Sequence, residues 1–245
     1  MEQQDSQIIN LNSMLGLGNT IIGGSVLEGF TTPADLPGIA HWWKHNTGLQ
    51  KSGGAFPSDG EQVVLWEDQI GSENFTGTSN LPAYVAATGT LNFNGASKIL
   101  TIASGTSADI TLDGDFAVYT RIKFGATPST SDIFFKDDDS ANNFFRANSA
   151  TVMRAKITSG AMNWTVPTMG TSSFYNIGIE RVGTDTRVYL DGTESSTGAV
   201  SSSNDWLIDT LKGANGDELS SLIIVKGSAL STANRAALET YLAAL

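Results

Sequence analysis

The segment that decides the fold class is Phe116-Ala117-Val118-Tyr119-Thr120-Arg121-Ile122-Lys123-Phe124. Every second residue from Phe116 to Phe124 is apolar, apart from Thr120, and most of the residues between them are smaller or polar. Because successive side chains of a β-strand point to opposite faces, this pattern predicts a strand with one buried face and one wetted face.

Ten further segments of strand length are bounded by turn residues, which is typical of all-β proteins. They are residues 63–67, 91–93, 98–102, 132–136, 143–147, 151–157, 161–166, 174–181, 187–190 and 221–225. The dipeptide Asn94-Gly95 tolerates the positive φ angles of a type I′ turn and predicts a hairpin between residues 91–93 and 98–102. Asp191-Gly192 predicts a second hairpin turn. Since no helices separate these strands, alternating β-α-β architectures are excluded.

One helix is predicted at the C-terminus, over residues 231–245. Ser231 can cap its first turn, as serine hydroxyls accept hydrogen bonds from the free amides there. Its apolar side chains share one face at helical spacing: Ala237, Leu238, Tyr241, Leu242 and Leu245. We therefore expect the helix to lie against the strands.

The charge balance argues against several partners. The chain has 245 residues, of which 25 are acidic and 14 basic, giving a formal net charge of −11. This charge repels nucleic acid and anionic membranes. No apolar run is long enough to span a bilayer, and the start lacks the basic region of a secretory signal, so we expect synthesis in the cytoplasm without a membrane anchor. With no cysteine, disulfides and thiolate chemistry are absent.

The first 35 residues differ from the rest and are predicted to form an extended assembly arm, with the sandwich domain occupying residues 36–245. The arm contains no lysine or arginine, and its glycines make an isolated helix costly. Its apolar residues need a surface to cover, which favours an assembly partner. They are Ile8, Ile9, Leu11, Leu15, Leu17, Ile21 and Ile22.

Three stretches resemble the concanavalin A-like, or laminin G-like, jelly-roll domain. They are residues 91–95 with Ile99-Leu100, residues 116–124, and Arg187-Val188-Tyr189-Leu190-Asp191-Gly192. The closing strand and helix, from Leu222 to Leu242, are similar to the usual end of such domains. The resemblance implies an antiparallel jelly-roll β-sandwich. The family includes lectins, glucanases, adhesion modules and phage head or fibre proteins, so the fold alone does not select a function.

Candidate catalytic and metal sites are few. A glucanase of this family would carry Glu-x-Asp-x-x-Glu on one strand, and this pattern does not occur. Asp137-Asp138-Asp139, with Asp132 nearby and Asn142-Asn143 following, could bind a cation such as calcium, but we favour a solvated hairpin loop. His41 and His45 suggest no nucleophilic site. We accordingly assign no catalytic, cofactor or metal residues and expect no enzymatic activity.

The five tryptophans allow two interpretations. Trp42, Trp43, Trp66, Trp164 and Trp206 could stack on sugar rings, but such residues more often fill a core. We favour the core.

The sequence therefore predicts a structural interaction protein of a phage virion, either a capsid decoration protein or a tail appendage component. The low charge and the composition rich in glycine, serine and threonine resemble those of phage proteins of this family and support this hypothesis. The missing signal and the missing cysteines support it as well. Its partners would be other virion proteins or further copies of itself, with its arm as the anchor. The alternative is a carbohydrate-binding receptor-recognition module of a fibre or adhesin, with a glycan-active enzyme as a third hypothesis.

Overall fold

The computed structural model describes residues 30–95, 98–102, 109–130, 133–137, 141–158, 160–213 and 215–245. Within these ranges two antiparallel β-sheets stack face to face, and a single α-helix packs on the outside. The predicted all-β antiparallel sandwich with a short C-terminal helix is therefore confirmed.

Each strand predicted from the sequence overlaps an observed strand. The chain begins with a 3-10 turn at Pro33–Asp35 and ends with α1 at Thr232–Ala243. The strands are β1 (Ile39–Trp43), β2 (Leu49–Gln50), β3 (Leu65–Trp66), β4 (Phe75–Thr76), β5 (Ala83–Val85), β6 (Thr90–Phe93), β7 (Lys98–Thr101), β8 (Ile110–Leu112), β9 (Phe116–Lys123), β10 (Ile133–Lys136), β11 (Phe144–Ser149), β12 (Val152–Ile157), β13 (Gly160–Thr165), β14 (Phe174–Val182), β15 (Asp185–Leu190), β16 (Thr193–Glu194), β17 (Val200–Ser201), β18 (Trp206–Ile208), β19 (Thr210–Gly213) and β20 (Asp217–Lys226).

The two sheets have different strand orders. The first sheet runs β16-β15-β14-β9-β20-β6-β5, with β1 also paired to β20 and β17 to β15. The second sheet runs β13-β12-β11-β10-β19-β7-β4-β3-β2, and β8 and β18 form a separate pair. The long strands β9, β14 and β20 lie side by side in the first sheet, so they provide its rigid centre.

The main core lies between the two sheets and holds most of the large aromatic side chains. Trp43, Trp66, Trp164 and Trp206 are buried there, and Trp42 is buried beneath α1. The interpretation of the tryptophans as core residues is confirmed, and none of them offers an exposed ring for stacking on a sugar.

The helix prediction is also confirmed, although its position changes the expected exposure of β9. The hydroxyl of Ser231 accepts a hydrogen bond from the amide of Asn234, at 3.1 Å, and begins α1 as predicted. The helix then buries Ala117 and Tyr119 on the outer side of β9. The expectation that this face is wetted along its whole length is therefore wrong. Its partly exposed end carries Arg121 and Lys123.

The hairpin predicted around Asn94-Gly95 is not formed. β6 pairs with β20 in the first sheet, whereas β7 pairs with β19 and β4 in the second, so the dipeptide connects the two sheets. Gly95 does adopt a positive φ of 101°. Each flanking strand instead pairs with a strand from the C-terminal part of the chain, β6 with the ten-residue β20 and β7 with β19, and these pairings outweigh the local turn preference.

The second predicted turn is correct. Leu190 pairs with Thr193 across Asp191 and Gly192, whose φ angles of 48° and 74° are those of a type I′ turn.

No helix in the described part of the chain is long and apolar enough to cross a membrane.

Candidate functional site

The outer face of the first sheet is divided between a half covered by α1 and a more open half. Alternation along β9 places Arg121 and Lys123 on the same side as the buried Ala117 and Tyr119, but both charged residues are partly exposed. We call the open half the outer patch and define it by six side chains. They are His45, Thr88, Arg121, Lys123, Phe174 and Glu218.

Arg121 is the central cation of the outer patch. Its guanidinium carbon lies 5.1 Å from the centroid of the Phe174 ring, and its Nη1 donates a hydrogen bond to Oδ1 of Asn176 at 3.1 Å. Burial lowers the pKa of Arg121, against the opposing negative charge of Asp191. Among the described residues no carboxylate forms an ion pair with Arg121. Its remaining N–H groups are therefore available to a ligand.

Asn176, which lies directly opposite Arg121 on the neighbouring strand β14, holds the guanidinium in place. It is buried on β14, its backbone amide donates to Oδ1 of Asp191 at 2.8 Å, and its Nδ2 donates to the carbonyl of Glu239 at 3.1 Å. These bonds orient the side chain so that Oδ1 faces Arg121. A binding group supported in this way by a rigid strand loses little conformational entropy when a ligand binds.

Lys123 and Glu218 form the second charged pair of the outer patch. Nζ of Lys123 lies 3.0 Å from Oε1 of Glu218, while the hydroxyls of Thr88 and Thr90 donate to Oε2 at 2.9 and 3.0 Å. Burial of the Glu218 carboxyl opposes its ionisation, but hydrogen bonds from Lys123, Thr88 and Thr90 outweigh burial and lower its pKa. The carboxylate is thus a fixed acceptor at pH 7.

His45 closes the patch on the side of β1. Its Nδ1 lies 2.7 Å from the hydroxyl of Ser220. Burial and the positive charge of Arg121 lower the pKa of His45, so the imidazole is neutral at pH 7. The outer patch consequently combines two cations, one carboxylate, one hydroxyl, one neutral imidazole and one aromatic ring.

The sequence did not single out the outer patch. Its members come from β9, β14 and β20 and from the connections that follow β1 and β5, so no local motif brings them together. The available signal was the pair Arg121 and Lys123 on alternate positions of the best-predicted strand, in a chain with few basic residues.

A separate acidic cluster lies where three strands begin or end. Asp109 precedes β8, Asp137 follows β10 and Asp209 follows β18, and their carboxylate oxygens lie within 4.8 Å of one another. Asp137 and Asp209 are only 2% and 4% exposed, so the interpretation of Asp137 as part of a solvated loop is wrong. Carboxylates are ligands that Ca²⁺ prefers, and in the described part of the chain this group could hold such a cation. Asp132, Asp138 and Asp139 lie outside the described residues.

The other candidates from the sequence are placed as follows. Nδ1 of His41 lies 2.7 Å from Oδ2 of Asp68, so this histidine has an acidic partner that sequence spacing did not reveal. The predicted arm residues Ile8, Ile9, Leu11, Leu15, Leu17, Ile21 and Ile22 lie outside the described residues, so their role stays a prediction.

Comparison with known proteins finds similar folds among solved structures. Neither a protein-family model nor a curated protein sequence matches the chain. Among solved structures, a mutant of Trypanosoma rangeli sialidase displaying trans-sialidase activity matches with a TM-score of 0.57 at 12% identity, over 84% of this chain and 33% of that chain. Trypanosoma rangeli sialidase in complex with 2,3-difluorosialic acid matches with a TM-score of 0.55 at 11% identity, over 82% and 33%.

A third match is to a shorter protein. Domain 4 of AbnA, a GH43 extracellular arabinanase from Geobacillus stearothermophilus in complex with arabinotriose, has a TM-score of 0.47 at 13% identity, over 82% of this chain and 98% of that chain. The matched region of the chain spans only about a third of the length of the sialidases that it resembles.

These comparisons correct the expectation that the protein has no enzymatic activity. Solved chains that share its fold include sialidases, one of them with trans-sialidase activity, so the expectation of a non-enzymatic protein is contradicted. At 10–12% identity the likeness shows the fold alone, and that fold is a β-sandwich found in proteins that act on carbohydrates.

Proposed function

We propose that this chain is a carbohydrate-binding module and that its ligand lies on the outer patch. The observation that carries the proposal is the arrangement of Arg121, Lys123 and Glu218 around Phe174, with donors and acceptors fixed on one rigid sheet. A pyranose hydroxyl both donates and accepts hydrogen bonds, so a sugar requires both kinds of partner.

The patch offers these partners in positions that the fold has already set. Arg121 donates one hydrogen bond of 3.1 Å, to Asn176, and keeps further N–H donors. Lys123 likewise has three N–H donors, of which one is directed at Glu218. Glu218 supplies an acceptor, and the neutral imidazole of His45 has one donor and one acceptor nitrogen, with Nδ1 beside the hydroxyl of Ser220. An aromatic ring such as Phe174 suits the apolar C–H face of a sugar.

The fold comparison supports a role beside a catalytic unit. The sialidases that this chain resembles are about three times as long as the matched region; one was solved in complex with sialic acid, and a mutant displays trans-sialidase activity. A sandwich that binds glycans would hold such an enzyme near its substrate by raising the effective concentration of the target.

The virion hypothesis concerns location rather than ligand and stays a prediction. A glycan-binding sandwich anchored through residues 1–35 would suit a fibre or adhesin, where receptor recognition and assembly occur in one chain. Its partners would then be other virion proteins or further copies of the chain.

A glycan array with the purified full-length chain tests the proposal. We expect the wild-type protein to bind a limited group of glycans, and Arg121→Gln and Phe174→Ala to lose that binding. The matched control is Arg187→Gln, because Arg187 lies on β15 of the same sheet and forms exposed ion pairs with Asp185 and Glu194. Folded wild-type protein that binds no glycan, or variants that bind as well as the control, would overturn the proposal.

A further inference from the structure

The outer face of the second sheet carries a group of cationic side chains that the proposed function does not use. Across β11 and β12, Arg146 lies directly opposite Arg154, and Phe144 lies directly opposite Lys156. Arg154 is also paired with the exposed Asn163 on β13. In a chain with a net charge of −11, three basic side chains on neighbouring positions are a marked local reversal of charge.

The two arginines repel each other in the unliganded protein. Residues directly opposite on antiparallel strands have Cβ atoms about 4.5–5.5 Å apart, and like charges at this spacing are destabilising. Burial and the positive charge of Arg154 both lower the pKa of Arg146. The repulsion between the two arginines destabilises the folded protein. A negative charge beside them would relieve it.

No such charge is supplied by the described residues. Nη1 of Arg146 donates to the carbonyl of Thr130 at 3.0 Å, and no carboxylate forms an ion pair with either arginine in the described ranges. Nε of Arg146 and Nε of Arg154 are buried, and neither has a hydrogen-bond partner there. A buried donor without an acceptor is destabilising, and more so when it is charged.

The surroundings of the pair favour an external ligand. The guanidinium carbon of Arg146 lies 4.7 Å from the centroid of the Phe144 ring, which supports its plane. Both arginines are only partly buried, so their flexible ends can adjust to a ligand. Lys156 occupies the neighbouring row and already donates to Oδ1 of Asn142 at 2.5 Å.

We infer that Arg146 and Arg154 form a binding site for an oxyanion, either a sulfate group or a carboxylate. Guanidinium groups bind such anions through paired N–H···O bonds. The two guanidinium groups supply donors only, and no carboxylate of the described residues forms an ion pair with them, whereas the outer patch also offers a fixed carboxylate acceptor. The two surfaces lie on different sheets and therefore take different ligand chemistry.

The site is independent of the proposed function. It rests on the β11–β12 register and on the unmet donors, not on the glycan hypothesis. Loss of glycan binding in Arg121→Gln would leave it untouched, and its failure would leave the outer patch untouched.

Titration of the full-length protein with sodium sulfate, sodium glucuronate and neutral glucose tests the inference. Ionic strength is held constant with sodium chloride, and binding is followed by NMR shifts of backbone amides or by calorimetry. We expect saturable binding of sulfate, glucuronate or both, with amide shifts centred on β11 and β12, and no binding of glucose at this site. Binding of only one anion identifies the source of the oxyanion and still supports the site.

Variants separate a specific site from general salt effects. Arg154→Gln should weaken anion binding at least tenfold, Arg154→Lys should retain part of it, and Arg187→Gln on the first sheet should leave it unchanged. Without anion, Arg154→Gln should melt no lower than wild type, because it removes the repulsion. No saturable anion binding by wild type, or equal binding by Arg154→Gln and wild type, would refute the site.

Discussion

Arg235 of α1 donates two hydrogen bonds to the carboxylate of Glu180 on β14, at 2.8 and 2.7 Å. Glu180 is 1% exposed and also accepts a hydrogen bond of 2.6 Å from the hydroxyl of Tyr119. The guanidinium carbon lies 4.3 Å from the centroid of the Tyr189 ring. This network fixes α1 over one half of the first sheet and so leaves the other half to the outer patch.

Replacement of Arg235 with methionine should therefore destabilise the protein strongly. The variant keeps most of the apolar volume but leaves the Glu180 carboxylate buried without its cation, which typically costs about 3–5 kcal/mol. Urea denaturation measures the change. The surface variant Arg187→Met should lose less than about 1 kcal/mol. A loss of similar size in both variants would show that the network does not anchor α1.

Glu239 makes stability depend on pH in an unusual direction. Its carboxyl is buried on α1, where burial and the negative charge of Asp191 raise its pKa from 4.5 to about 7. Between these values the folded state holds a proton that the unfolded state has released. Folding stability should therefore fall as pH rises from 4.5 to 7, by up to about 3 kcal/mol, and change little above pH 7.

The variant Glu239→Gln isolates this effect. It should be more stable than wild type at pH 8 and about equal at pH 4.5, because the amide needs no proton to remain neutral. His45 has a lowered pKa and works in the opposite direction near pH 6, but it is present in both proteins and cancels in their difference. If denaturation gives the same difference at pH 4.5 and pH 8, Glu239 does not titrate as described.

Truncation tests the predicted assembly arm. Phe30 and Leu36 pack into the apolar cluster beneath α1, so removal of residues 2–29 should leave the melting temperature nearly unchanged. The predicted result is loss of self-association or of incorporation into particles, measured by analytical ultracentrifugation and particle-binding assays. Removal of residues 2–35 also deletes Phe30 and should lower the melting temperature. Full assembly by the protein that lacks residues 2–29 would show that the arm is not the anchor.

Strand and helix positions followed from the sequence because their signals are local. Alternation in residues 116–124 and the Ser231 cap are read directly from neighbouring residues. The Asn94-Gly95 hairpin failed because the flanking strands pair with β19 and β20, which lie far away in the chain. A turn preference reports what two residues tolerate, and the sheet in which each flanking strand lies is decided by tertiary contacts.

The candidate sites could not be predicted for a related reason. Arg146 and Arg154 are separated by a turn, and only the register of β11 against β12 places them opposite each other. Phe174 and Arg121 meet because β14 pairs with β9. No sequence motif predicts either arrangement. The acidic segment 137–139, in contrast, was a candidate because it contains three consecutive aspartates.

The most direct test of the central claim is the affinity of the outer patch for the best glycan found on the array. Calorimetry should show that Arg121→Gln weakens binding at least tenfold, while Arg187→Gln binds as wild type does. Asn176→Ala, which frees Arg121 without removing its charge, should give an intermediate loss. Wild-type affinity in a folded Arg121→Gln variant would contradict the account.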